Sequence, residues 1–417
     1  MNQFDVIIVG GGAAGMMAAG TAAQNGLNTL LLEKNSRLGR KLRITGKGRC
    51  NIVNNCDVPT AIAAIPSNGR FLYSAVSQFT PQDAIVFFEN LGVPIKTERG
   101  NRVFPQSDLA SDVVDALKSY CTQNGVQIRQ AVVTDLRIQE QTVTGVRCED
   151  GTEYFSKHVV IACGGMSYPA TGSTGDGYRL AQQAGHTITE LRPSLVSLVA
   201  NGKDCPALQG LSLKNVAIHV IDTKQKKVIY DDFGEMMFTH YGVTGPMILS
   251  ASSHMRNMEP NRYQISIDLK PALSLEQLDT RLQKDFAENQ NKDFINSLGA
   301  LLPRKLIPIM VAKSGIAPNQ KCNQITKEQR RRFAQELKGF KVIIKGFRPI
   351  DEAIITSGGV SVKEISPKTM ESKLVKGLYF AGEVIDADAY TGGFNLQIAF
   401  STGYLAATAI AQAQWEI

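Results

Sequence analysis

Residues 5–15 read DVIIVGGGAAG, a short β-branched apolar run followed at once by a glycine-rich turn. The run predicts a buried strand, and the small-residue segment MMAAGTAAQNG after it predicts a helix that ends near Gly26. A second apolar run, NTLLLEK, comes next. The order strand, glycine turn, helix, strand predicts a βαβ unit at the start of an α/β domain of the Rossmann type.

The glycine spacing of this turn is typical of a dinucleotide site. Gly10 permits the tight turn, Gly12 lets the backbone approach a pyrophosphate, and Gly15 lets the helix pack close to the strand. The helix N-terminus at Ala13 and Ala14 offers N–H groups to the phosphates. Glu33, which closes the second strand, can accept hydrogen bonds from ribose hydroxyls. The motif predicts FAD or NAD without separating them.

The far end of the chain favours FAD. GLYFAGE at 377–383 predicts a strand, and TGGFNLQIAFSTG from Thr391 predicts a glycine turn followed by a long helix. A helix N-terminus there would face the edge of the flavin that becomes anionic on reduction. A dehydrogenase that binds only NAD does not need this C-terminal strand, glycine turn and helix. The predicted cofactor-binding residues of this region are Gly382, Glu383, Asp386, Gly392, Gly393, Phe394 and Asn395.

A family resemblance supports this interpretation. Segments across nearly the whole chain resemble the bacterial three-domain flavoproteins labelled NAD(FAD)-utilising dehydrogenases, among them VGGGAAG, GRKLRITGKGRCN, GGMSYPATGSTGDG, FTHYGVTGP and AGEVIDADAYTGGFN. The resemblance implies a glutathione-reductase-type FAD domain, an inserted β-barrel-like domain and a helical subdomain. Members resembling aminoacetone oxidase and bile-acid 3-oxo-Δ4,6 reductase imply two kinds of flavin chemistry.

Further cofactor-binding residues are predicted in three loops. The segment TGKGRCNIVNNC at 45–56 holds two cysteines in Cys-x5-Cys spacing, which leaves a redox pair or a metal knuckle as alternatives to a flavin-contacting loop. The seven cysteines are odd in number and scattered, which favours reduced thiols and no metal site. The residues predicted from these loops and their neighbours are Lys34, Arg40, Lys41, Gly46, Gly48, Arg49, Cys50, Asn51, Val133, Ala162, Gly164 and Gly165.

The periodicity changes twice along the chain and suggests three domains. Short strand patterns predict an inserted β domain at 191–270, and helical patterns predict a helical subdomain at 271–340. Residues 1–190 and 341–417 then form the FAD domain. A single complete dinucleotide fingerprint is present, so NADH or NADPH is expected only as a transient electron donor. In GSTGDG at 172–177, Asp176 or Ser173 is expected to cap the following helix.

The composition predicts a cytoplasmic protein with a small-molecule substrate. The chain opens without a basic and apolar leader, and no apolar run reaches about 18 residues, so no membrane span is expected. The net charge of +7 suits anionic ligands. The sequence shows no lysine- and arginine-rich tail, so no nucleic-acid partner is expected, and the oligomeric state stays open.

The predicted activity is that of an FAD-dependent oxidoreductase. The resemblance favours reduction of an activated C=C bond next to a carbonyl, as in a 3-oxo-Δ4,6 steroid, with an amine oxidase as the alternative of the same fold. An RNA-binding or RNA-modifying flavoprotein, or a regulatory one, is the alternative of another class. His240 in a glycine-rich loop and Tyr390 before the second glycine turn are the predicted catalytic residues, and the structural alternative for each is packing or local hydrogen bonding.

Overall fold

The structure, a computed structural model, describes residues 2–415. The chain divides into two compact units. The first unit comprises the chain up to Ser194 and from Ile350 onwards, and the second unit comprises Leu195–Pro349. The first unit is therefore discontinuous in sequence, and the second unit is inserted into it.

The strands occur along the whole chain and in both units. In chain order they are β1 Val6–Val9, β2 Thr29–Glu33, β3 Val53–Asn54, β4 Ile95–Glu98, β5 Arg102–Pro105, β6 Gln127–Gln130, β7 Val133–Gln139, β8 Thr142–Cys148, β9 Glu153–Phe155, β10 Val159–Ile161, β11 Arg192–Ser194, β12 Leu198–Ala200, β13 Ser212–Asp222, β14 Lys227–Phe238, β15 Gly242–Thr244, β16 Tyr263–Asp268, β17 Phe340–Phe347, β18 Ile355–Ser357 and β19 Leu378–Phe380.

The α-helices are likewise distributed over both units. In chain order they are α1 Ala13–Gln24, α2 Arg40–Ile44, α3 Val58–Ala63, α4 Tyr73–Gln78, α5 Pro81–Asn90, α6 Ala110–Gln123, α7 Asp176–Gln183, α8 Asp204–Ala207, α9 Pro246–His254, α10 Leu275–Glu288, α11 Phe294–Ser297, α12 Ile307–Ser314, α13 Lys327–Lys338 and α14 Phe394–Trp415. Short 3-10 turns connect several of them.

A parallel sheet forms the centre of the first unit. Its strand order is β19-β10-β1-β2-β6, and every neighbouring pair is parallel. All four residues of β1 are buried, as expected for a strand covered on both faces. The carboxyl ends of β1, β2 and β19 therefore meet at one edge of the sheet, which is where α/β proteins bind their ligands.

Helices α1 and α14 pack against each other beside this sheet. Both helices are rich in small residues, and a Cβ atom at Gly403 would lie 2.4 Å from the Ala14 carbonyl oxygen. The close approach is possible only because Gly403 has no side chain. It brings the N-terminal ends of the first and last helices of the unit to the same region of the fold.

The second unit contains a closed barrel with the strand order β12-β15-β14-β13-β16-β17. Inward-facing side chains of the strands fill its core, and helices α10 to α13 contribute further buried residues to the same cluster. The cluster includes the fully buried aromatic rings of Phe238, Phe294, Phe333 and Phe340. The predicted fold class, a Rossmann-type domain with a barrel and a helical region, is confirmed.

One segment lies elsewhere than the predicted boundary placed it. The periodicity assigned residues 341–417 to the cofactor domain, whereas Phe340–Phe347 is a barrel strand of the second unit. β17 pairs with both β16 and β12 and thereby closes the barrel. The sequence hides this because the strand follows the helical segment and pairs with a strand, Leu198–Ala200, far away along the chain.

Membrane-spanning helices and metal clusters are both missing from the described part of the chain. Within residues 2–415, no helix combines the length and the apolarity that crossing a bilayer requires. The same residues contain no group of three or more histidine, cysteine or acidic side chains that could hold a metal ion.

Candidate functional site

The glycine turn between β1 and α1 adopts the geometry that its spacing predicts. Gly10 has φ of +109°, and a Cβ atom there would lie 2.5 Å from the Ala162 carbonyl oxygen. A Cβ atom at Gly15 would lie 1.8 Å from the Gly10 carbonyl oxygen. Gly12 differs, because a Cβ atom there would meet no protein atom within 4 Å. The turn is therefore tightly packed at Gly10 and Gly15 and open at Gly12.

Helix α1 begins at the open side of the turn, and its N-terminus has no side-chain cap. Gly12 is the N-cap of α1, and no side chain accepts a hydrogen bond from the first turn of the helix. Free N–H groups at this position, together with the positive end of the helix dipole, bind phosphate groups well. The turn and the helix N-terminus both line a single cavity of the first unit.

Glu33 lies at the end of β2 next to the turn. Its Oε2 accepts a hydrogen bond of 2.7 Å from the Gly11 amide, and its Oε1 accepts one of 2.8 Å from the Asn35 amide. Oε1 also accepts from the Asn35 side-chain amide at 2.6 Å, so Oε2 is the oxygen that keeps a second lone pair for a ligand hydroxyl. The geometry thus holds the carboxylate where the sequence predicts a ribose contact.

A second glycine turn precedes α14. Gly392 and Gly393 have φ of +124° and +99°, which places both in conformations that favour glycine. Asn395 then joins the loop to the helix: its Oδ1 accepts from the Ala389 amide at 2.9 Å, and its Nδ2 donates to the Ala389 carbonyl at 2.8 Å. The first turn of α14 lines the same cavity as the first turn of α1.

A charged network lies between these two helix ends. The Lys41 ammonium donates to Glu383 Oε2 at 2.7 Å and to Ser167 Oγ at 2.6 Å. Glu383 Oε1 accepts from the Thr356 amide at 2.9 Å and from the Ser167 hydroxyl at 3.1 Å. The Lys41 and Glu383 side chains are only 24% and 13% exposed. This network gives the cavity a fixed, partly buried cation and carboxylate.

The cavity brings together most of the predicted cofactor-binding residues. Those that line it are Gly10, Gly12, Ala13, Ala14, Glu33, Lys34, Arg40, Lys41, Val133, Ala162, Gly164, Gly382, Glu383 and Asn395. The sequence reasoning missed several others, namely Asn35, Arg37, Thr45, Cys163, Ser173 and Leu396. It also missed Ser167 and Thr356, although both lie in segments, GGMSYP and ITSGG, that carry the family resemblance.

Other predicted residues lie beside the cavity lining rather than in it. These are Gly15, Gly46, Gly48, Arg49, Cys50, Asn51, Gly165, Asp386, Gly392, Gly393 and Phe394. Gly15 and Gly165 have packing roles, since a Cβ atom at either position would collide with protein atoms. The Asp386 backbone is held by Val360 and Asn68.

The Arg49 side chain binds other residues of the first unit. Its guanidinium contacts Glu98 at 2.5 Å and Asp108 at 2.6 Å, and it lies 4.2 Å from the Phe104 ring centroid. Next to it, Cys50 is fully buried, and the Asn51 Oδ1 is buried without a hydrogen-bond partner among residues 2–415. The predicted role of Arg49 as a cofactor contact therefore has a competing structural one.

The cysteines do not form redox pairs in the structure. All seven are free thiols. Burial raises the pKa of Cys50 to about 12, and burial likewise raises the pKa of Cys163, which lines the cavity, to about 12. A thiol with such a pKa is protonated at neutral pH and is a poor nucleophile and a poor metal ligand.

The predicted cap of α7 is wrong. The helix begins at Asp176, and its N-cap is Gly175, which provides no side chain. Asp176 instead binds the Lys34 ammonium at 2.5 Å, and Lys34 also donates to Thr174 at 2.6 Å. The acid is used in a tertiary ion pair across the cavity wall, which sequence spacing does not reveal.

The two predicted catalytic residues lie in different units. His240 is exposed in the loop between β14 and β15 of the second unit, with its ring edge-on to Tyr241 at 5.0 Å. Tyr390 is half-buried in the first unit, and its amide donates to the Ala64 carbonyl at 3.0 Å. Their catalytic roles remain predictions.

A family model described as the HI0933-like protein Rossmann domain matches residues 4–409. The chain belongs to the HI0933-like family. It is 30% identical over 99% of its length to the whole of a 3-dehydro-bile acid delta(4,6)-reductase from Clostridium scindens. It is 31% identical over 98% of its length to 98% of a ribosomal RNA dihydrouridine synthase from Escherichia coli.

Solved structures agree on the fold of this HI0933-like chain. It superimposes on a 3-ketosteroid-delta4-(5alpha)-dehydrogenase from Rhodococcus jostii RHA1 with a TM-score of 0.54 and 14% identity, covering 98% of this chain and 97% of that one. The HI0933-like protein is an FAD-dependent oxidoreductase. The residues fit the cofactor: Gly12 is open, two helix N-termini face one cavity, and the Glu33 carboxylate lines the same cavity beside the glycine turn.

Proposed function

We propose that this HI0933-like protein reduces a C=C bond conjugated to a carbonyl, and that the bond belongs to a uracil base in RNA. Bound FAD supplies a hydride to the electron-poor β carbon. A proton must then reach the α carbon, so the product gains two hydrogen atoms. The observation that carries the proposal is the pair of full-length relatives at about equal identity, 30% and 31%.

The names of these two relatives describe the same bond chemistry. A 3-oxo steroid with a 4,6-diene has C=C bonds conjugated to its ketone. Uracil has a C5=C6 bond conjugated to its C4 carbonyl, and dihydrouridine is the product when that bond is saturated. The shared reaction supports C=C reduction more strongly than either name supports a particular substrate.

The distribution of charge favours RNA over a steroid. Leu195–Pro349 contains 23 lysines and arginines and 14 acidic residues, a net charge of +9. The rest of the chain contains 22 lysines and arginines and 24 acidic residues, a net charge of −2. The positive charge of the protein thus resides in the second unit. Concentrated basic charge is the electrostatic feature that nucleic-acid binding requires, and it needs no basic tail.

The experiment compares substrates for reduced holoprotein in the absence of oxygen. The flavin is reduced with dithionite and mixed with a ribosomal RNA transcript, with a 4,6-dien-3-one steroid, or with buffer. We expect the RNA to restore the absorbance of oxidised flavin and a uridine in it to gain 2 Da by mass spectrometry. If neither substrate restores the absorbance and no product forms, the proposed reaction is wrong.

The steroid is the second candidate substrate, because the Clostridium scindens relative matches over its whole length. Restoration of the absorbance by the dienone alone, with a steroid product 2 Da heavier, would select it. An amine oxidase would behave differently: aminoacetone would reduce the oxidised flavin, and oxygen would restore it. NADH and NADPH are tested in the same apparatus as electron donors.

His240 and Tyr390 are proposed as sources of the proton. A histidine or tyrosine within reach of the α carbon can donate it. H240N and Y390F each remove a donor with little change in side-chain volume. The variant that removes the true proton donor should form product about 100-fold more slowly than the wild type. The rate at which dithionite reduces its flavin should stay unchanged.

A further inference from the structure

The outward face of four adjacent barrel strands carries a row of three apolar residues and one glutamine, and the apolar residues at its two ends are exposed. The register aligns Val228 of β14 with Ile221 of β13, then Gln264 of β16, then Ile343 of β17. Val228 and Ile343 are 43% and 44% exposed. The alternate residues of the same strands, such as Val220 and Ile265, are fully buried in the barrel. The row is therefore a solvent-facing surface of a well-packed sheet.

Lysines flank this row on both sides. Lys341 and Lys345 lie two residues before and after Ile343, so the period of two places all three on the outward face of β17. Lys226 and Lys227 are exposed at the turn between β13 and β14, at the rim of the sheet next to Val228. All four lysines are exposed, and none has an ion-pair partner among residues 2–415.

The turn that carries Lys226 and Lys227 is held in place by its own network. Asp222 Oδ1 accepts from the amides of Lys224 and Gln225 at 3.0 and 3.1 Å, and Asp222 Oδ2 accepts two bonds from Arg262. Glu259 binds both Arg262 and Lys224. The acids beside the turn are thus already paired, and the charges of Lys226 and Lys227 remain uncompensated.

Two acids near the sheet face also have partners, whereas Glu235 of β14 is exposed. Asp231, further along β14, contacts His219 on the neighbouring strand. Asp268 at the end of β16 binds Lys338 at 2.5 Å. We call the surface formed by Lys226, Lys227, Val228, Lys341, Ile343 and Lys345 the basic sheet face. Its four lysines outnumber the exposed acids beside them, Asp231 and Glu235, so the face has a net positive charge for a ligand.

We propose that the basic sheet face binds the sugar–phosphate backbone of the RNA that carries the target uridine, an inference that rests on the proposed function. Lys341 and Lys345 are about 13 Å apart along β17, since a strand rises about 3.3 Å per residue. Four exposed cations, two on β17 and two at the β13–β14 turn, match an extended polyanion and exceed what a single phosphate or a steroid carboxylate needs. The apolar row between them contacts sugars and base faces.

The test measures RNA affinity of the holoprotein at several salt concentrations. The face variant is K226Q/K227Q/K341Q/K345Q, and the probe is a fluorescent ribosomal RNA transcript. The matched control, K292Q/R304Q/K327Q/R331Q, removes the same charge from exposed positions of the same unit that lie in its helical region. Flavin absorbance and circular dichroism verify that each variant is folded and holds FAD.

We expect the face variant to raise Kd at least about tenfold and to flatten the slope of log K against log salt by about 3, because each lost phosphate contact removes about 0.7–0.9. The control should change the slope by less than about 1. The face variant and the control variant could instead have the same Kd and the same salt slope for RNA. If they do, and the wild type still reduces uridine in RNA, the basic sheet face is not the RNA site and the proposed function stands. If the wild type neither binds nor reduces RNA, both proposals fall.

Discussion

The βαβ unit of β1, α1 and β2 in the first unit and the closed barrel of the second unit are completed by strand pairs of very different sequence range. Gly15 packs against the Gly10 carbonyl, and Val6 of β1 pairs with Thr29 of β2. Barrel closure instead joins Leu198 to Phe347. The first unit also carries the cofactor cavity, while the second unit carries the net positive charge. Variants of the two regions should therefore separate cofactor binding from substrate recruitment.

The largest expected effect comes from filling the glycine turn. In G15A the new Cβ atom would lie 1.8 Å from the Gly10 carbonyl oxygen, so α1 must move away from β1. We expect a loss of about 3 kcal/mol in stability and an inability to retain FAD. Thermal unfolding and the flavin content after gel filtration measure both.

G12A is the matched control for that variant. Its Cβ atom would meet no protein atom within 4 Å, so the fold should keep nearly its full stability. The methyl group would nevertheless lie on the open side of the turn, and FAD should bind more weakly. Equal destabilisation of G12A and G15A would show that the turn is not open at Gly12.

The next effect concerns the charged network of the cavity. E383Q removes the carboxylate that accepts hydrogen bonds from Lys41, Ser167 and the Thr356 amide. We expect about 2 kcal/mol of destabilisation, because a partly buried ammonium loses its counter-charge. The flavin reduction potential should also shift, since the charge near the cofactor changes. The double variant K41M/E383Q should recover part of the stability, and no recovery would argue against direct coupling.

The largest effect of acid pH should occur at His254 in the second unit. Burial, followed by the charge of Arg256, lowers the pKa of His254 to about 4. In the unfolded chain the pKa of this histidine is about 6.5. Between these two pH values His254 is protonated in the unfolded state but not in the folded state. The free energy of unfolding therefore decreases as the pH falls from about 6.5 to about 4. His186 of the first unit also has a lowered pKa, because burial outweighs the opposing effect of Glu364.

Hydrogen exchange at pH 7 and pH 5 checks this difference. We expect the amides around His254 to have lower protection factors at pH 5 than at pH 7, each taken relative to the intrinsic exchange rate at that pH, with FAD still bound to the first unit. H254Q should lose most of that pH dependence. If protection at pH 5 is lost only around His186, the first unit and not the second is the acid-sensitive one, and the prediction is wrong.

The smallest effect is expected for R49Q. Arg49 binds Glu98 and Asp108, and all three side chains are about a third exposed. Partly exposed ion pairs contribute little to stability, so the thermal unfolding of R49Q should nearly match that of the wild type, with FAD content unchanged. A large loss of FAD from R49Q would instead support the cofactor contact that the sequence predicts.

Local sequence determined the glycine turns, the strand ends and the acid at Glu33, because each depends on the conformational freedom or hydrogen bonding of residues close together in the chain. It also indicated an FAD oxidoreductase through motifs spread over the whole chain. The residues predicted from the sequence make up 14 of the 35 that line the cavity. They do not identify the substrate, because two full-length relatives at 30% and 31% identity are named for different substrates.

Only the tertiary structure revealed the network of Lys41, Ser167, Thr356 and Glu383, whose members are separated by up to 342 positions. It alone showed that β17 closes the barrel and that Asp176 binds Lys34 rather than capping a helix. It alone divided the charge between two units. All of these contacts join residues that are far apart in the sequence and come together only in the folded state. Such contacts leave no periodic pattern in a single sequence, so sequence analysis cannot predict them.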